Sequence, residues 1–297
     1  MAMVHVDEGR LPDSRALLYD KTIDLLLSRW EETKREDEVP RLRQLLRQAG
    51  RTDSDLKAAL AGVAYDVHTQ AGSAAGDEEV ADIGEAFLCQ ALSRLNKREM
   101  GWGQALLAVI KERAGLLIER APGQFAFPHR TFQEYLAGMH LAAQPESKFK
   151  AEALYWAGQG VGWWPMVLFA VEYLVYVNPQ LYKPLQLVSE LCPRDKEPQT
   201  TADWQAVWLA GDALQSLGLA RAEDSEWGRD LTDRVRDRLA AMLVGGCLPP
   251  LERAAAGRVL SQLGDPRPGV GTILRSGQKL PDIVWGGRSP GRDIHHW

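Results

Sequence analysis

The side chain best placed for chemistry in this sequence is the imidazole of His129. It stands between an apolar run that ends at Phe127 and a segment with helical periodicity. At such a joint a side chain can point out of the core, and a histidine with a pKa near 6.5 can hydrogen-bond an anionic ligand. The same position also suits a structural histidine that ties the two segments together. The residues alone leave both roles open.

Residue patterns that indicate catalysis or metal binding are missing. His129 and His140 lie eleven residues apart, which is about 16 Å along a helix, so they cannot chelate one ion. The cysteines at positions 89, 192 and 247 are widely separated and have no CxxC spacing, which disfavours disulfides and zinc. Neither a GxxxxGK[ST] phosphate loop nor an HExxH pair occurs. We therefore expect no catalytic residues, no metal site and no enzymatic activity in this chain.

The composition indicates a globular protein. The chain has 297 residues, of which 45% are hydrophobic and 25% charged, and this excludes disordered and collagen-like proteins. A formal net charge of -5 provides no global positive field for phosphates, which disfavours general nucleic-acid binding. No run approaches the roughly 18 apolar residues of a membrane span. We expect a cytoplasmic protein with reduced cysteines and no membrane contact.

The elements that must position His129 are mainly helices. Apolar residues recur with helical spacing, which predicts helices at about 14–33, 41–49, 54–70, 78–95, 102–114 and 130–143. Between them, two short apolar runs flank Ala121-Pro122-Gly123, and a Pro-Gly turn in this setting predicts a small β-hairpin. Helices that lead into one hairpin and a further helix match the outline of a winged-helix unit. We assign residues 1–143 to this region.

The remainder of the chain is also predicted to be helical. Helices of about 12 to 20 residues alternate with Pro- and Gly-bearing turns, and they are placed at 149–157, 163–177, 179–191, 204–217, 227–243 and 251–263. The fold class is therefore mainly α, a winged-helix-like unit followed by an α-solenoid-like helical array. We assign 144–263 to a HEAT-like domain, although a plain helical domain fits as well because no consensus repeat is visible. Residues 264–297 are predicted to be an extended linker or tail.

Tryptophans in this array suggest a protein partner. Trp163-Trp164 and the pair Trp204 and Trp208 could form a concave aromatic surface for a protein ligand. Core packing explains the same residues more simply.

The segment around His129 resembles a known signature. Phe127, His129, Phe132, Gln133, Glu134, Tyr135 and Ala137 match the pattern Phe-x-His-x-x-Phe-Gln-Glu-Tyr/Phe-x-Ala. This pattern is found in the winged-helix module of NACHT-type signal-transduction NTPases. The stretch LPDSRALLYDKTIDLLLSRWEE and the helices at 56–68 and 83–92 are also similar to that family, so the resemblance spans about residues 4–143.

The resemblance implies a nucleotide-sensing role for one residue. In this family the winged-helix histidine contacts the β-phosphate of bound ADP and helps to hold the closed, inactive state, and His129 matches it. The implied partner is a NACHT nucleotide-binding core, in cis or in trans, which would supply the ADP or ATP. Because few residues precede Leu11, we expect the chain to be a fragment, a split gene product or a degenerate copy that lacks this core.

A second resemblance lies near the end of the sequence. The stretch LERAAAGRVLSQLGDPRPGVGTILRSGQKLPDIVW is similar to the junction before a formylglycine-generating-enzyme-like domain in some bacterial NACHT proteins. It implies truncation before that domain, and no active-site residue is carried over. A fragment of such a sulfatase-modifying protein is one alternative function.

Another alternative is a winged-helix DNA-binding regulator with a helical sensor domain. Arg94, Lys97 and Arg98 could contact phosphates in such a protein, or they could form a solvated helix end. The acidic balance and a carboxylate, Glu134, on the expected recognition helix argue against DNA.

Overall fold

A computed structural model of the chain describes residues 14–28, 41–71, 81–112, 115–270, 272–275 and 278–281. By contacts the chain divides into two compact units, Met1–Glu190 and Leu191–Trp297. The boundary of the first unit thus lies beyond the winged-helix boundary expected at residue 143, because helices that follow this point pack on the winged-helix part. The expected functional division at residue 143 stays a prediction.

The first unit is built mainly from helices. Its elements are α1 (Arg15–Ser28), α2 (Arg41–Gln48), α3 (Asp53–Ala71), β1 (Ile83–Gly84), α4 (Glu85–Ser93), α5 (Met100–Glu112), β2 (Ile118–Ala121), β3 (Gln124–Ala126), α6 (Arg130–Ala142), α7 (Glu146–Gly158), α8 (Trp164–Tyr176) and α9 (Tyr182–Leu191), whose last residue opens the second unit. Short 3-10 turns at Arg94–Asn96 and Val161–Trp163 precede α5 and α8. These elements confirm the mainly helical fold class.

The small sheet confirms the predicted wing. Strands β1, β3 and β2 lie side by side in that order and are antiparallel, with Ile83 opposite Phe125 and Ile118 opposite Ala126. Gly123 adopts a positive φ of 73° in the turn between β2 and β3, a conformation that costs glycine little. The predicted helix at 78–95 begins at Glu85 instead, because Ile83 and Gly84 pair with β3.

The order of helices and strands along the chain corrects one expectation about the winged helix. The chain runs α3, β1, α4, α5 and then the β2–β3 hairpin, so the second helix of the helix-turn-helix is α5, and α6 follows the wing. Glu134 lies on α6 and is therefore not on the second helix of the helix-turn-helix. The expectation from the sequence, that Glu134 lies on the recognition helix, was wrong. Its carboxylate is no argument against DNA binding.

Helix α6 lies at the centre of the first unit and packs on α3 and α8. Its contact with α8 depends on Gly138. A Cβ atom added there would lie 2.7 Å from the carbonyl oxygen of Met166 and 2.9 Å from the amide nitrogen of Ala170. The absence of a side chain thus lets the two backbones approach closely.

The second unit contains three longer helices that each pack on the other two. They are α10 (Thr201–Leu217), α12 (Glu226–Gly245) and α13 (Pro250–Leu263), with the short α11 (Leu219–Ala222) between the first two. A capping box begins α10, because Thr200 and Asp203 exchange side-chain to backbone hydrogen bonds. The helical array is confirmed, whereas its identity as HEAT repeats stays a prediction.

The region assigned to an extended tail contains a further hairpin. Strands β4 (Thr272–Arg275) and β5 (Gln278–Pro281) pair antiparallel, with Ile273 opposite Leu280. Residues 282–297 lie outside the described residues. Among the described helices, none is long and apolar enough to cross a membrane.

Candidate functional site

His129 is positioned by the end of the wing and the start of α6. Phe127, which follows β3, is 1% exposed and anchors the chain in the core. Two residues later the chain reaches the surface, where His129 has extended backbone angles (φ -144°, ψ 150°) and caps α6. Its side chain is exposed and forms no capping hydrogen bond. The imidazole therefore faces solvent and is accessible to another molecule.

The backbone around His129 favours an anion. Its carbonyl oxygen accepts the first hydrogen bonds of α6, from the N–H groups of Phe132 (3.0 Å) and Gln133 (3.4 Å). Only the N–H groups at the very start of a helix, before these bonds begin, have no intrahelical carbonyl partner, and the helix dipole places partial positive charge at this end. An imidazole beside such a helix end can add a further hydrogen bond to a phosphate.

Arginines close to this helix end are engaged with buried carboxylates. Arg130 donates from Nε to Oε1 of Glu134 at 3.0 Å, and Arg15 pairs with Glu172 at 2.7 Å. Burial raises the pKa of Glu134, and Arg130 opposes this shift. Each of these guanidinium groups is thus paired with a carboxylate. The imidazole of His129 is a further polar group, and it lies at the surface.

The other residues of the signature hold α6 against α1 and α3. Phe132 contacts the ring of Tyr19 edge-on at 5.1 Å. Tyr135 is fully buried and donates from its hydroxyl to Oδ1 of Asp20 at 2.6 Å. The residues expected to support His129 therefore pack inside the molecule, whereas His129 itself lies at the surface.

Gln133 connects this helix to a buried histidine that the sequence analysis did not single out. Its Nε2 lies 3.4 Å from Nδ1 of His68 on α3, and the ring of His68 packs edge-on against Trp163 at 5.2 Å. Burial lowers the pKa of His68 to about 4, and the positive charge of Arg130 acts in the same direction. His68 is therefore neutral at pH 7, which lets Nδ1 accept the hydrogen bond.

A buried lysine is a second feature that sequence reasoning missed. Lys57 on α3 pairs with Asp20 at 2.6 Å and with Asp24 at 2.7 Å on α1. The signal in the sequence was a lysine directly after Leu56, within the apolar stripe of a helix. A lysine is rarely buried unless it is paired, so a carboxylate partner was predictable, although its position was not.

The basic residues considered for phosphate contacts lie between α4 and α5. Arg94, Lys97 and Arg98 are all exposed, and Lys97 and Arg98 have positive φ angles of 52° and 65°. On α5, the exposed residues are mostly small or uncharged, at positions 100, 101, 104, 105, 108 and 111. These side chains offer few groups that could read base edges in a major groove.

The four tryptophans of the predicted aromatic surface differ in burial. Trp163 and Trp164 are each 5% exposed, and Trp163 stacks on Trp156 at 4.4 Å. These two residues therefore belong to the core. Trp204 and Trp208, in the second unit, are half-buried.

Comparison with known proteins assigns the region that contains this site. Residues 15–141 match a family model described as the winged helix-turn-helix domain C-terminal to NACHT. This part of the chain is similar to the winged helix that follows NACHT domains. The matched residues include the wing, His129 and nearly all of α6. The searches of curated proteins and of solved structures returned no match.

The match agrees with the architecture of the first unit. In the matched region, the β1–β3–β2 sheet and the helices α3, α4 and α5 form the helix-turn-helix and wing. Helices α7 and α8 lie outside the matched residues but pack on them. The expectation of a winged-helix region of the kind that follows a NACHT domain is confirmed.

Proposed function

We propose that this chain is a non-catalytic regulatory region of a NACHT-type signalling NTPase, in which His129 senses the bound nucleotide. The observation that carries the proposal is the exposed imidazole at the start of α6, within residues that match the NACHT-associated winged helix. The nucleotide is held by a NACHT core in cis or in trans. This chain supplies one contact to its β-phosphate.

The proposed mechanism is a shift between two states. A ligand changes a conformational equilibrium only as far as it binds the two states differently. Contact of His129 with the β-phosphate of ADP stabilises the closed arrangement of winged helix and core. Exchange for ATP removes or weakens this contact, and the open arrangement is then favoured. The helical region from residue 144 onward transmits the change or binds a protein partner.

The wider setting follows from the same proposal. This chain requires ADP or ATP only when it acts together with the NACHT core that binds the nucleotide. We propose that the protein acts in the cytoplasm. We also propose that the chain resembles the part of a bacterial NACHT protein that precedes a formylglycine-generating-enzyme-like domain. DNA binding receives less support, because the exposed face of α5 carries small residues such as Gly101 and Ala105.

The test measures ADP release after this chain has been joined to a NACHT core or mixed with it. The complex is loaded with a fluorescent ADP analogue and chased with ATP. Loss of one charge-assisted hydrogen bond costs about 1.5 to 3 kcal/mol, so His129→Ala should speed release by roughly 10- to 150-fold. The control is Lys97→Ala, which removes an exposed side chain on the turn before α5.

Two results distinguish the interpretations. Faster release for His129→Ala, with unchanged release for Lys97→Ala, supports the sensing role. Equal release rates for His129→Ala and wild type refute it. A gel shift with duplex DNA that weakens steeply with salt would instead favour the DNA-binding regulator.

A further inference from the structure

The second unit has a polar cleft along one face of α12. It has a volume of about 480 Å³ and is lined by Arg194, Glu197, Trp204, Asp230, Asp233, Arg234, Asp237, Arg238 and Ala241. The lining residues of α12 recur every three or four positions, so they form one face of the helix. The segment before α10 and the start of α10 supply the other wall. Neither the signature around His129 nor the NACHT match involves this cleft.

A buried guanidinium group lies in the cleft. Arg238 is 6% exposed, and its described side-chain contacts are both long. Nη1 lies 3.4 Å from Sγ of Cys192, a weak acceptor, and Nη2 lies 3.4 Å from Oε1 of Glu197. Arginine carries five N–H donors, and a buried charge is costly unless hydrogen bonds satisfy it. Arg238 therefore retains donor capacity for a stronger acceptor.

Glu197 is a weakly held partner of Arg238. Its side chain is 74% exposed, and it stands in the segment between α9 and α10. An exposed carboxylate in a single long contact gains little from the ion pair. A ligand carboxylate that reaches Arg238 with shorter, bidentate hydrogen bonds would displace it.

The other charges of the cleft determine which ligand fits. Asp230 is already bonded by Arg194 at 2.5 Å and by Arg234 at 2.9 Å, and Asp233 is bonded by Arg236 at 2.9 Å. Asp237 is exposed and has no ion pair within the described residues. Among the described lining residues, the cleft thus offers a guanidinium group with unused donors, that of Arg238, and a carboxylate without an ion pair, that of Asp237.

We propose that this cleft binds a short segment of a partner protein that carries a carboxylate beside a basic side chain. The carboxylate pairs with Arg238 in place of Glu197, and the basic side chain pairs with Asp237. Trp204 provides an aromatic wall against which the stem or charge of the basic side chain packs. A phosphate dianion fits less well, because Asp230, Asp233 and Asp237 surround the cleft.

The cleft is suited to a polypeptide because its charged lining is largely exposed to solvent. The side chains of Arg194, Glu197 and Asp233 are 71%, 74% and 70% exposed, so a bound backbone keeps contact with water. The proposal is independent of nucleotide sensing, since it concerns the second unit alone.

The experiment uses the full chain and fluorescein-labelled octapeptides with Gly-Ser flanks around a central pair. The pair is Lys-Glu, Lys-Gln, Gln-Glu or Gln-Gln, and all C-termini are amidated. Fluorescence anisotropy should show that the Lys-Glu peptide binds about tenfold more tightly than Lys-Gln, since the amide of Gln lacks the negative charge that pairs with Arg238. A Lys-Gln peptide with a free C-terminus tests whether a terminal carboxylate can replace the side chain.

Substitutions on the protein locate the binding. Glu197→Gln removes the carboxylate of the protein that competes with the peptide for Arg238. Because an exposed ion pair contributes little energy, Lys-Glu binding should tighten by only about threefold. Asp237→Asn should abolish the preference for Lys-Glu over Gln-Glu. Both residues are exposed, so neither substitution should prevent folding. Asp224→Asn changes an exposed carboxylate of the same unit that does not line the cleft and should leave binding unchanged.

Several outcomes would overturn the proposal. These are equal binding of all peptides, absence of binding, or the same response to Asp224→Asn as to Asp237→Asn. Competition by inorganic phosphate at concentrations at which acetate has no effect would identify a phosphate site and would also refute it.

Discussion

Removal of the Tyr135 hydroxyl tests whether the signature around His129 is mainly structural. Tyr135 is fully buried, and its hydroxyl donates to Asp20 at 2.6 Å. Phenylalanine keeps the ring contacts with Tyr19 and Phe169, so Tyr135→Phe removes only the polar contact. Asp20 retains its pairing with Lys57 at 2.6 Å and is not left as an uncompensated charge.

The magnitude follows from the charge of the acceptor. A hydrogen bond to an ionised group contributes about 1.5 to 3 kcal/mol. Because Lys57 still pairs with Asp20, we expect Tyr135→Phe to lower the free energy of unfolding by about 1.5 to 2 kcal/mol, in the lower part of that range. The measurement is hydrogen exchange of peptides that cover α6, which reports this unit separately from the second. Urea denaturation of the whole chain provides an independent value.

The matched control is Tyr155→Phe. Tyr155 is 58% exposed, so loss of its hydroxyl should change stability by less than about 0.5 kcal/mol. Equal effects of the two substitutions, or unchanged exchange in α6 for Tyr135→Phe, would refute the structural role.

The same substitution has a consequence at alkaline pH. Burial raises the pKa of Tyr135, and the negative charge of Asp20 raises it further. Unfolded tyrosine loses its proton near pH 10, whereas the folded protein retains it, so this contribution to stability is complete below about pH 10 and is lost as pH rises above that value. Tyr135→Phe should therefore lose less stability than wild type between about pH 10 and 11.

Two further substitutions test the packing and the charge state of the first unit. Gly138→Ala should destabilise the protein by about 1 to 3 kcal/mol, because its Cβ would lie 2.7 Å from a carbonyl oxygen of α8, whereas Gly158→Ala, with no atom within 4 Å, should not. Thermal unfolding of both variants checks this, and equal melting temperatures would contradict it. The depressed pKa of His68, about 4, predicts stability that is complete above pH 6.5 and lost as pH falls towards 4. His68→Gln should flatten this acid dependence in urea titrations, and an unchanged slope for His68→Gln would show that the imidazole is not held neutral.

The sequence predicted the elements of the fold more accurately than their contacts. Helical spacing and the Pro122-Gly123 turn were sufficient for the helices and the wing, because these are set by local periodicity and backbone preference. The two residues of β1 were assigned to a helix, since a strand this short exists only through its pairing with β3. The hairpin in the assigned tail was likewise missed, because glycine and proline there concealed the pairing of Ile273 with Leu280.

The candidate site was also predictable only in part. The type and place of His129, after an apolar run and before a helix, indicated an accessible imidazole, and the structure places it at the surface. The pairing of Gln133 with His68 could not be predicted, because 65 residues separate them. The same holds for Arg238 and Glu197, whose proximity depends on how α12 packs beside the preceding segment.

By itself, the sequence determined a mainly helical chain, a winged helix with its histidine, and the absence of a phosphate loop, since each of these depends on residues close together along the chain. Tertiary structure alone decided that α6 follows the wing and is not part of the helix-turn-helix, that Lys57 is neutralised by α1, and that a charged cleft opens along α12. The physical reason is that burial and charge pairing depend on which surfaces meet, and helices with similar periodicity can meet in many ways.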